Sequence, residues 1–293
     1  MLDLDFSDQD SQTPPRFEGF VFDLDEEIYR KAEGISQSNL KTLITEPFKY
    51  FNKVESSPTK DMVEGTLLHL LLCEPQNLEK KFFIIDDLKM AKRPIIQEEI
   101  GNRIAYSRGD FNRIEDCVGY IKRKMLERFG CDLDDLYGEV SYFGEYRGYR
   151  VKGRADKLTK NLKGALDFKK SKSADPSEFL KTAINLNYGI QDYFYREIMQ
   201  LQDFKFVAIE TEPIKVNGND VFLFSVFESS ELMLEQAGID VDYAFTALEC
   251  REKLSEPAYI GESIADAIEN GVDVVHTLTP PLWRMKERRQ IRI

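Results

Sequence analysis

Arg154-Ala155-Asp156-Lys157, a polar turn over Thr159 to Gly164, and then Leu166-Asp167-Phe168-Lys169 make up the stretch whose reading decides the fold. Strand side chains alternate between faces, so an extended Ala165–Lys169 segment sends Asp167 and Lys169 to one side and Phe168 into a core. Two hard carboxylates, Asp156 and Asp167, suit Mg²⁺ or Mn²⁺, which take oxygen ligands. Lys169, a point charge on a flexible stem, can then orient or activate water beside a phosphate. Taken alone, the three residues read more readily as a surface ion pair than as a site.

Outward from this stretch the periodicity sorts into elements. Glu139 to Phe143 and Tyr149 to Asp156 read as strands turned at Glu145 to Gly148, giving an antiparallel sheet with Ala165 to Lys169 as its third strand. Upstream, Asn39 to Thr45 stops before Pro47, Asp61 to Leu72 stops before Pro75, and Asp110 to Phe129 shows a helical apolar face ending near Gly130. Downstream, Asp175, Pro176 and Glu178 fit the N-cap, first position and capping-box acid of a helix, and Tyr188 to Gln202 places Gln191 and Tyr195 one turn apart. Phe204 to Thr211 and Val221 to Glu228 read as strands separated by a turn at Asn217-Gly218, and Ser230 to Lys253 as a long final helix. Helices, a mixed sheet and helices again predict an α/β (α+β) architecture, with residues 1–16 as an acidic tail and 17–293 as one domain with a helical N-terminal part.

Composition bounds the function. The 293 residues are 42% hydrophobic, with 20 Phe and 13 Tyr, which excludes global disorder. No apolar run approaches the ~20 residues of a membrane helix and the start, MLDLDFSDQD, is acidic, so a cytoplasmic protein is expected. Cys73, Cys117, Cys131 and Cys250 lack CxxC spacing and read as buried thiols. A net charge of −12 speaks against nucleic acid, yet residues 1–33 hold ten acids against three basic residues, whereas residues 147–172 hold ten basic residues against Asp156 and Asp167. That stretch, with Arg147, Arg150, Lys152, Arg154, Lys170 and Lys172, reads either as an anionic-polymer site or as a solvated strand-and-turn face. The acidic tail alternates Leu2, Leu4 and Phe6 with Asp3, Asp5 and Asp8, a pattern for a solvated tail or for docking into a basic groove.

With these pieces in order, the sequence resembles the PD-(D/E)xK nuclease superfamily, within it the phage recombination exonucleases of the exonuclease VIII (RecE) type, and more distantly lambda exonuclease and RecB nuclease domains. The matching motifs run over about residues 18–286: Gly34-Ile35-Ser36-x-Ser38-x-Leu40 with Pro47 and Tyr50; Gly65-Thr66-x-x-His69 with Glu74-Pro75; Glu139; Arg154-Ala155-Asp156-Lys157; Leu166-Asp167-Phe168-Lys169; Gln191-Asp192-x-x-Tyr195; and Pro281-Leu282-Trp283. Ala155 stands where the superfamily's name has proline.

The resemblance implies a restriction-endonuclease-like core, a central mixed sheet flanked by helices. It implies metal ligation by His69, Asp156, Asp167 and the Phe168 carbonyl, catalysis by Lys169, and a role at the nucleophile or scissile phosphate for Gln191 and Tyr195. It makes Glu139 a second-metal or water-orienting carboxylate, and puts Ser36 and Ser38 at the DNA. Against it, His69 alone reads as a core histidine, Gln191 and Tyr195 as a helix face, and Glu139 as a strand-edge charge; His276 has no motif and Trp283 reads as packing. The implied activity is Mg²⁺-dependent 5′-to-3′ digestion of double-stranded DNA ends, with Mn²⁺ substituting, leaving 3′ tails for a single-strand annealing protein. A homo-oligomeric ring is the implied assembly. Alternatives are a nuclease of the same core with a single-strand or flap substrate, and a non-catalytic DNA-end-binding scaffold. Some relatives carry an iron–sulfur cluster; here Glu46 precedes Pro47 and only Cys250 lies late, so no cluster is expected.

Overall fold

The structure, a computed structural model, describes residues 15–53, 59–251 and 269. Most of the acidic tail, His276 and Pro281-Leu282-Trp283 lie outside the described residues. In chain order come β1 (Gly19–Val21), α1 (Glu26–Lys31), α2 (Gln37–Thr45), α3 (Pro47–Phe51), α4 (Lys60–Cys73) and α5 (Leu78–Lys81). They are followed by β2 (Phe82–Ile85), α6 (Pro94–Ile100), β3 (Ile104–Ser107), α7 (Arg108–Phe129), β4 (Tyr137–Tyr146), β5 (Tyr149–Leu158) and β6 (Gly164–Lys170). The remainder is α8 (Pro176–Asn185), α9 (Tyr188–Met199), β7 (Asp203–Ile209), β8 (Ile214–Val216), β9 (Asn219–Val221), β10 (Phe224–Phe227) and α10 (Glu231–Glu249). None of the described helices is long and apolar enough to cross a membrane.

Two compact units divide the chain. The first, residues 1–41 and 56–241, contains a six-stranded mixed sheet in the order β1-β4-β5-β6-β7-β10, flanked by helices. The second, residues 42–55 and 242–293, contains α3; there the Arg251 guanidinium lies 5.6 Å from the centre of the Phe51 ring.

The central strands follow from local chemistry. β4 and β5 form a hairpin whose turn residues, Arg147 and Gly148, both have positive φ, the backbone a tight two-residue turn demands. β6 pairs antiparallel with β5, as expected for the first three strands, and parallel with β7, which makes the sheet mixed, as expected. A parallel neighbour needs a crossover, and α8 and α9 supply it. Phe168 on β6 is fully buried in a core with Leu67, Leu68 and Leu72 of α4, Ile114 and Ile121 of α7, and Val207 of β7.

Several local expectations need amendment. Asn217-Gly218 does not simply separate two sheet strands but closes a hairpin of its own, β8–β9, with φ of 51° and 83°. Asp175 caps α8 by accepting from the amides of Ser177 and Glu178, yet no capping box forms. The Glu178 carboxylate pairs with Lys181, and Ser173 Oγ takes the Asp175 amide. The Phe82-Phe83-Ile84-Ile85 run is β2, which pairs in parallel with β3 and had no counterpart in the sequence reading.

Two glycines allow backbones to approach where the site is built. Gly34, at φ 144°, lets the Ile35 segment lie along β5, since a Cβ there would sit 3.0 Å from the Val151 carbonyl carbon. Gly138 on β4 faces the end of α4 so closely that a Cβ would overlap the Cys73 carbonyl oxygen. Gly138→Ala should therefore lower stability by about 1–3 kcal/mol, the usual cost of overpacking. Denaturant unfolding measures this, and an unchanged midpoint would mean that α4 does not need the contact.

Candidate active site

Antiparallel pairing of β5 and β6 holds Lys157 against Leu166 and Leu158 against Ala165, then stops. The next residues in that register are Asp156 and Asp167. Where the strands part, Asp156 Oδ2 accepts the Phe168 amide at 2.7 Å, so a carboxylate takes a hydrogen bond that a paired strand would have supplied. Further along the same β5 edge, Tyr195 OH accepts from Arg154 N at 3.2 Å and donates to Arg154 O at 3.1 Å. Beyond it, the Ile35 segment bonds Arg150 O and Lys152 N at 2.9 and 3.0 Å.

On β6, Asp167 and Lys169 share a face as the alternation requires, with Lys169 Nζ 2.5 Å from Asp167 Oδ1. Gln191, buried on α9, bridges them: its Nε2 donates to Asp167 Oδ2, and its Oε1 accepts from Lys169 Nζ at 3.1 Å. His69 arrives from α4, with Nε2 2.5 Å from the Phe168 carbonyl oxygen and Nδ1 3.2 Å from Asp156 Oδ2. Glu139 comes from β4. Its neighbours Gly138 and Val140 pair with Lys157 and Ala155, which sets Glu139 opposite Asp156, with φ of 48°, an uncommon backbone for a carboxylate inside a strand. Glu139 Oε2 lies 2.6 Å from Arg154 Nε, and Arg154 Nη2 donates to Glu74 at 3.1 Å.

Burial and crowded charge tune these groups. Burial, then Asp167, pushes Asp156 well above the ordinary carboxylate range. Burial, then Asp156, brings Glu139 up to about 7. Burial lowers His69, favouring neutral imidazole, the form that ligates metals. Burial also opposes charge on Lys169, but Asp167 and Asp156 outweigh it and the lysine is raised, so it stays a cation at neutral pH.

The structure thus gathers His69, Asp156, Asp167, the Phe168 carbonyl, Lys169, Gln191 and Glu139. Tyr195 is a correction: its hydroxyl is occupied by both backbone groups of Arg154, so it braces β5 rather than facing a substrate. The DNA-binding set also needs correction, because Lys152 is 8% exposed and donates to the carbonyls of Tyr29, Arg30 and Ala32, while Arg154 serves Glu139 and Glu74. Of the others, Arg150 pairs with Glu18 and Lys170 with Asp61, while Arg147 and Lys172 are exposed. Ser36 Oγ and Ser38 Oγ lie 2.8 Å apart at the start of α2.

Sequence reasoning missed Lys41, whose ammonium lies 5.1 Å from the centre of the Tyr188 ring while Lys169 lies 4.9 Å from the same ring. Burial, then Lys169, lowers Lys41 to about 7. It also missed Cys73, one turn beyond His69 on α4, where one ligand atom each from His69, Cys73 and Glu139 falls within 4.8 Å of the others. The i, i+4 spacing of His69 and Cys73 was the available signal.

The donors fit a divalent cation. Oxygens from Asp156, Asp167 and Phe168 converge with a neutral imidazole, a donor set of hard oxygens and one nitrogen. A model of the PDDEXK-like domain of unknown function DUF3799 matches residues 36–264. The chain belongs to this family. A solved candidate exonuclease from Eubacterium rectale is similar at 16% identity, over 82% of this chain and 90% of that one, with a TM-score of 0.55, a likeness of fold. A phage-related exonuclease from Haemophilus somnus matches at 14% identity over 77% of this chain and 96% of that one, with a TM-score of 0.35, too low to bear on the fold. No curated protein matches the chain. The PDDEXK-like assignment agrees with the central mixed sheet flanked by helices.

Glu139 carries a pH prediction. Its ordinary value of 4.5 rises to about 7 in the folded chain, so between these values the native state holds more protons than the unfolded state. Stability from this group is complete below about 4.5 and is lost as pH rises through about 7. Glu139→Gln stays neutral, so in metal-free buffer its melting temperature relative to wild type should climb from about pH 5 to about pH 8. A difference that stays flat over that range would place the carboxyl in an ordinary environment.

Proposed function

We propose that this protein is a divalent-metal-dependent deoxyribonuclease, a 5′-to-3′ exonuclease on double-stranded DNA ends that leaves 3′ single-stranded tails. The observation that carries the reading is the convergence of Asp156, Asp167, the Phe168 carbonyl and His69, with Lys169 held between Asp167 and Gln191, where β5 and β6 part. Membership of a PDDEXK-like family supports hydrolysis of phosphodiesters. Polarity and duplex preference rest on the resemblance to RecE-type exonucleases, as do a single-strand annealing partner and a ring assembly.

His69, Asp156, Asp167 and the Phe168 carbonyl would hold the cation, Mg²⁺ with Mn²⁺ substituting. When bound it supplies Lewis acidity at a phosphate and lowers the pKa of water. The chain's own groups do the rest. Lys169, a cation fixed at its stem and head, donates to a phosphate oxygen and offsets the negative charge that grows as water adds in line to phosphorus. Gln191 holds Asp167 and Lys169 in one geometry, so neither has to reorganise when charge develops. Tyr195 and Arg154 act indirectly, by fixing β5 and Glu139.

Lys169→Ala and Asp167→Ala should each lower cleavage by roughly 10²–10⁴-fold while DNA affinity changes only a few-fold, because neither group is a large part of the exposed charge. The assay is digestion of 5′- and 3′-labelled blunt, overhanging and single-stranded DNA with Mg²⁺, Mn²⁺ or chelator. Cleavage at wild-type rate in either variant would remove the site. Release of the 3′ label first would reverse the polarity, and preference for single strands or flaps would reassign the substrate. Tight end binding with no turnover under any metal would favour the scaffold.

A further inference from the structure

We propose that His69, Cys73 and Glu139 form a mononuclear site for a borderline-soft divalent cation, Zn²⁺ above all, which shares His69 with the hard-cation site and competes with it. The competition rests on the nuclease reading; the Zn²⁺ site does not.

His69 and Cys73 lie at i and i+4 of α4 and so share a face, and Glu139 meets them from β4. A tetrahedral Zn²⁺ with bonds of about 2.0–2.3 Å needs its ligand atoms roughly 3.3–3.8 Å apart. The three atoms already lie within 4.8 Å of one another, so side-chain adjustments of about 1 Å close the site.

Two backbone features serve this cluster. Gly138 lets the last turn of α4, with Cys73, sit directly against β4. At the next residue, the φ of 48° at Glu139 departs from strand geometry where the carboxylate meets that helix. Cys73 is 6% exposed, and a buried thiol beside an imidazole and a carboxylate is more than filler.

Donor chemistry then selects the metal. Thiolate and imidazole favour Zn²⁺, whereas Mg²⁺ prefers the oxygens of Asp156, Asp167 and Phe168. As the S–Zn bond forms, the Cys73 thiol gives its proton to solvent and nothing is oxidised. Water or Asp156, whose Oδ2 is 3.2 Å from His69 Nδ1, can complete the fourth position. With its imidazole drawn toward Cys73 and Glu139, His69 leaves the Phe168 carbonyl, and the hard-cation site loses a ligand.

Co²⁺ is the spectroscopic probe, because a thiolate bound to it adds a near-ultraviolet charge-transfer band. Metal-free full-length protein titrated with Co²⁺ should show that band together with strong tetrahedral visible bands, and Zn²⁺ should abolish both. Cys73→Ser and Cys73→Ala should each lose the thiolate band and bind Zn²⁺ at least ~10-fold more weakly, whereas Glu139→Gln should keep the band and bind more weakly. Using both cysteine variants, with circular dichroism to check folding, separates loss of the ligand from damage by a buried hydroxyl. Absence of the band in folded wild type, or equal Zn²⁺ affinity in wild type and either folded cysteine variant, would overturn the proposal. In the cleavage assay Zn²⁺ should inhibit wild type in Mg²⁺ and should inhibit Cys73→Ser only at higher Zn²⁺ concentration, each normalised to its own rate without Zn²⁺. If wild type cuts no DNA, the nuclease reading fails, while the Co²⁺ spectra still decide the Zn²⁺ site.

Discussion

Pairing between β5 and β6 stops at Lys157 and Leu166, and each buried backbone group beyond that point has to find another partner. The Asp156 carboxylate takes the Phe168 amide, the Tyr195 phenol takes both groups of Arg154, and the Ile35 segment takes Arg150 O and Lys152 N. These substitutes come from β5 itself, from α9 and from the entry to α2. Satisfying one opened ladder therefore draws in the elements that surround the candidate site. A fully paired ladder would leave Asp156 with no amide to accept and no gap for His69 to enter.

Opening the ladder also concentrates charge. Glu139, Glu74, Asp156 and Asp167 face Arg154 and Lys169, in a region where buried ions are costly unless paired. Burial, and then this crowding of carboxylates, raises Asp156 and Glu139, and protons relieve both costs. A divalent ion bound there would compete with protons for the same carboxylates. The same crowding keeps Lys169 charged despite its burial, which suits a group that offsets phosphate charge and does not suit a neutral base.

Much of this was legible in the sequence because it is local. Alternation alone put Asp167 and Lys169 together and Phe168 in the core. Helix stops at Pro47, Pro75 and Gly130 set the ends of α2, α4 and α7 to within a residue or two, and Gly130 closes α7 in the left-handed conformation. What escaped depends on tertiary contact. The parallel β6–β7 pairing needs a crossover that no periodicity reveals, and β2 needs β3 as a distant partner. Lys152 and Arg154 read as surface cations because their carbonyl and carboxylate partners, at Tyr29, Arg30, Ala32, Glu74 and Glu139, lie far away in sequence. Lys152 instead satisfies carbonyls at the end of α1, where a cation is also favoured by the helix dipole.

Strand geometry is broken at the same level on neighbouring strands. β5 loses its ladder to β6 at Asp156, and directly opposite, β4 takes a left-handed backbone at Glu139. Such a conformation costs roughly 1–3 kcal/mol and persists only where surroundings enforce it. Here the enforcement has identifiable parts: Gly138 holds the end of α4 against β4, Arg154 grips the Glu139 carboxylate, and Tyr195 grips the backbone of Arg154. Removing any one would let Glu139 relax toward an ordinary strand, where side-chain alternation and pairing with Asp156 would resume and α4 would lose its close seat. The two irregularities are thus a single feature seen on two strands, and it brings a helix histidine, a strand carboxylate and a second carboxylate to one point without any loop between them.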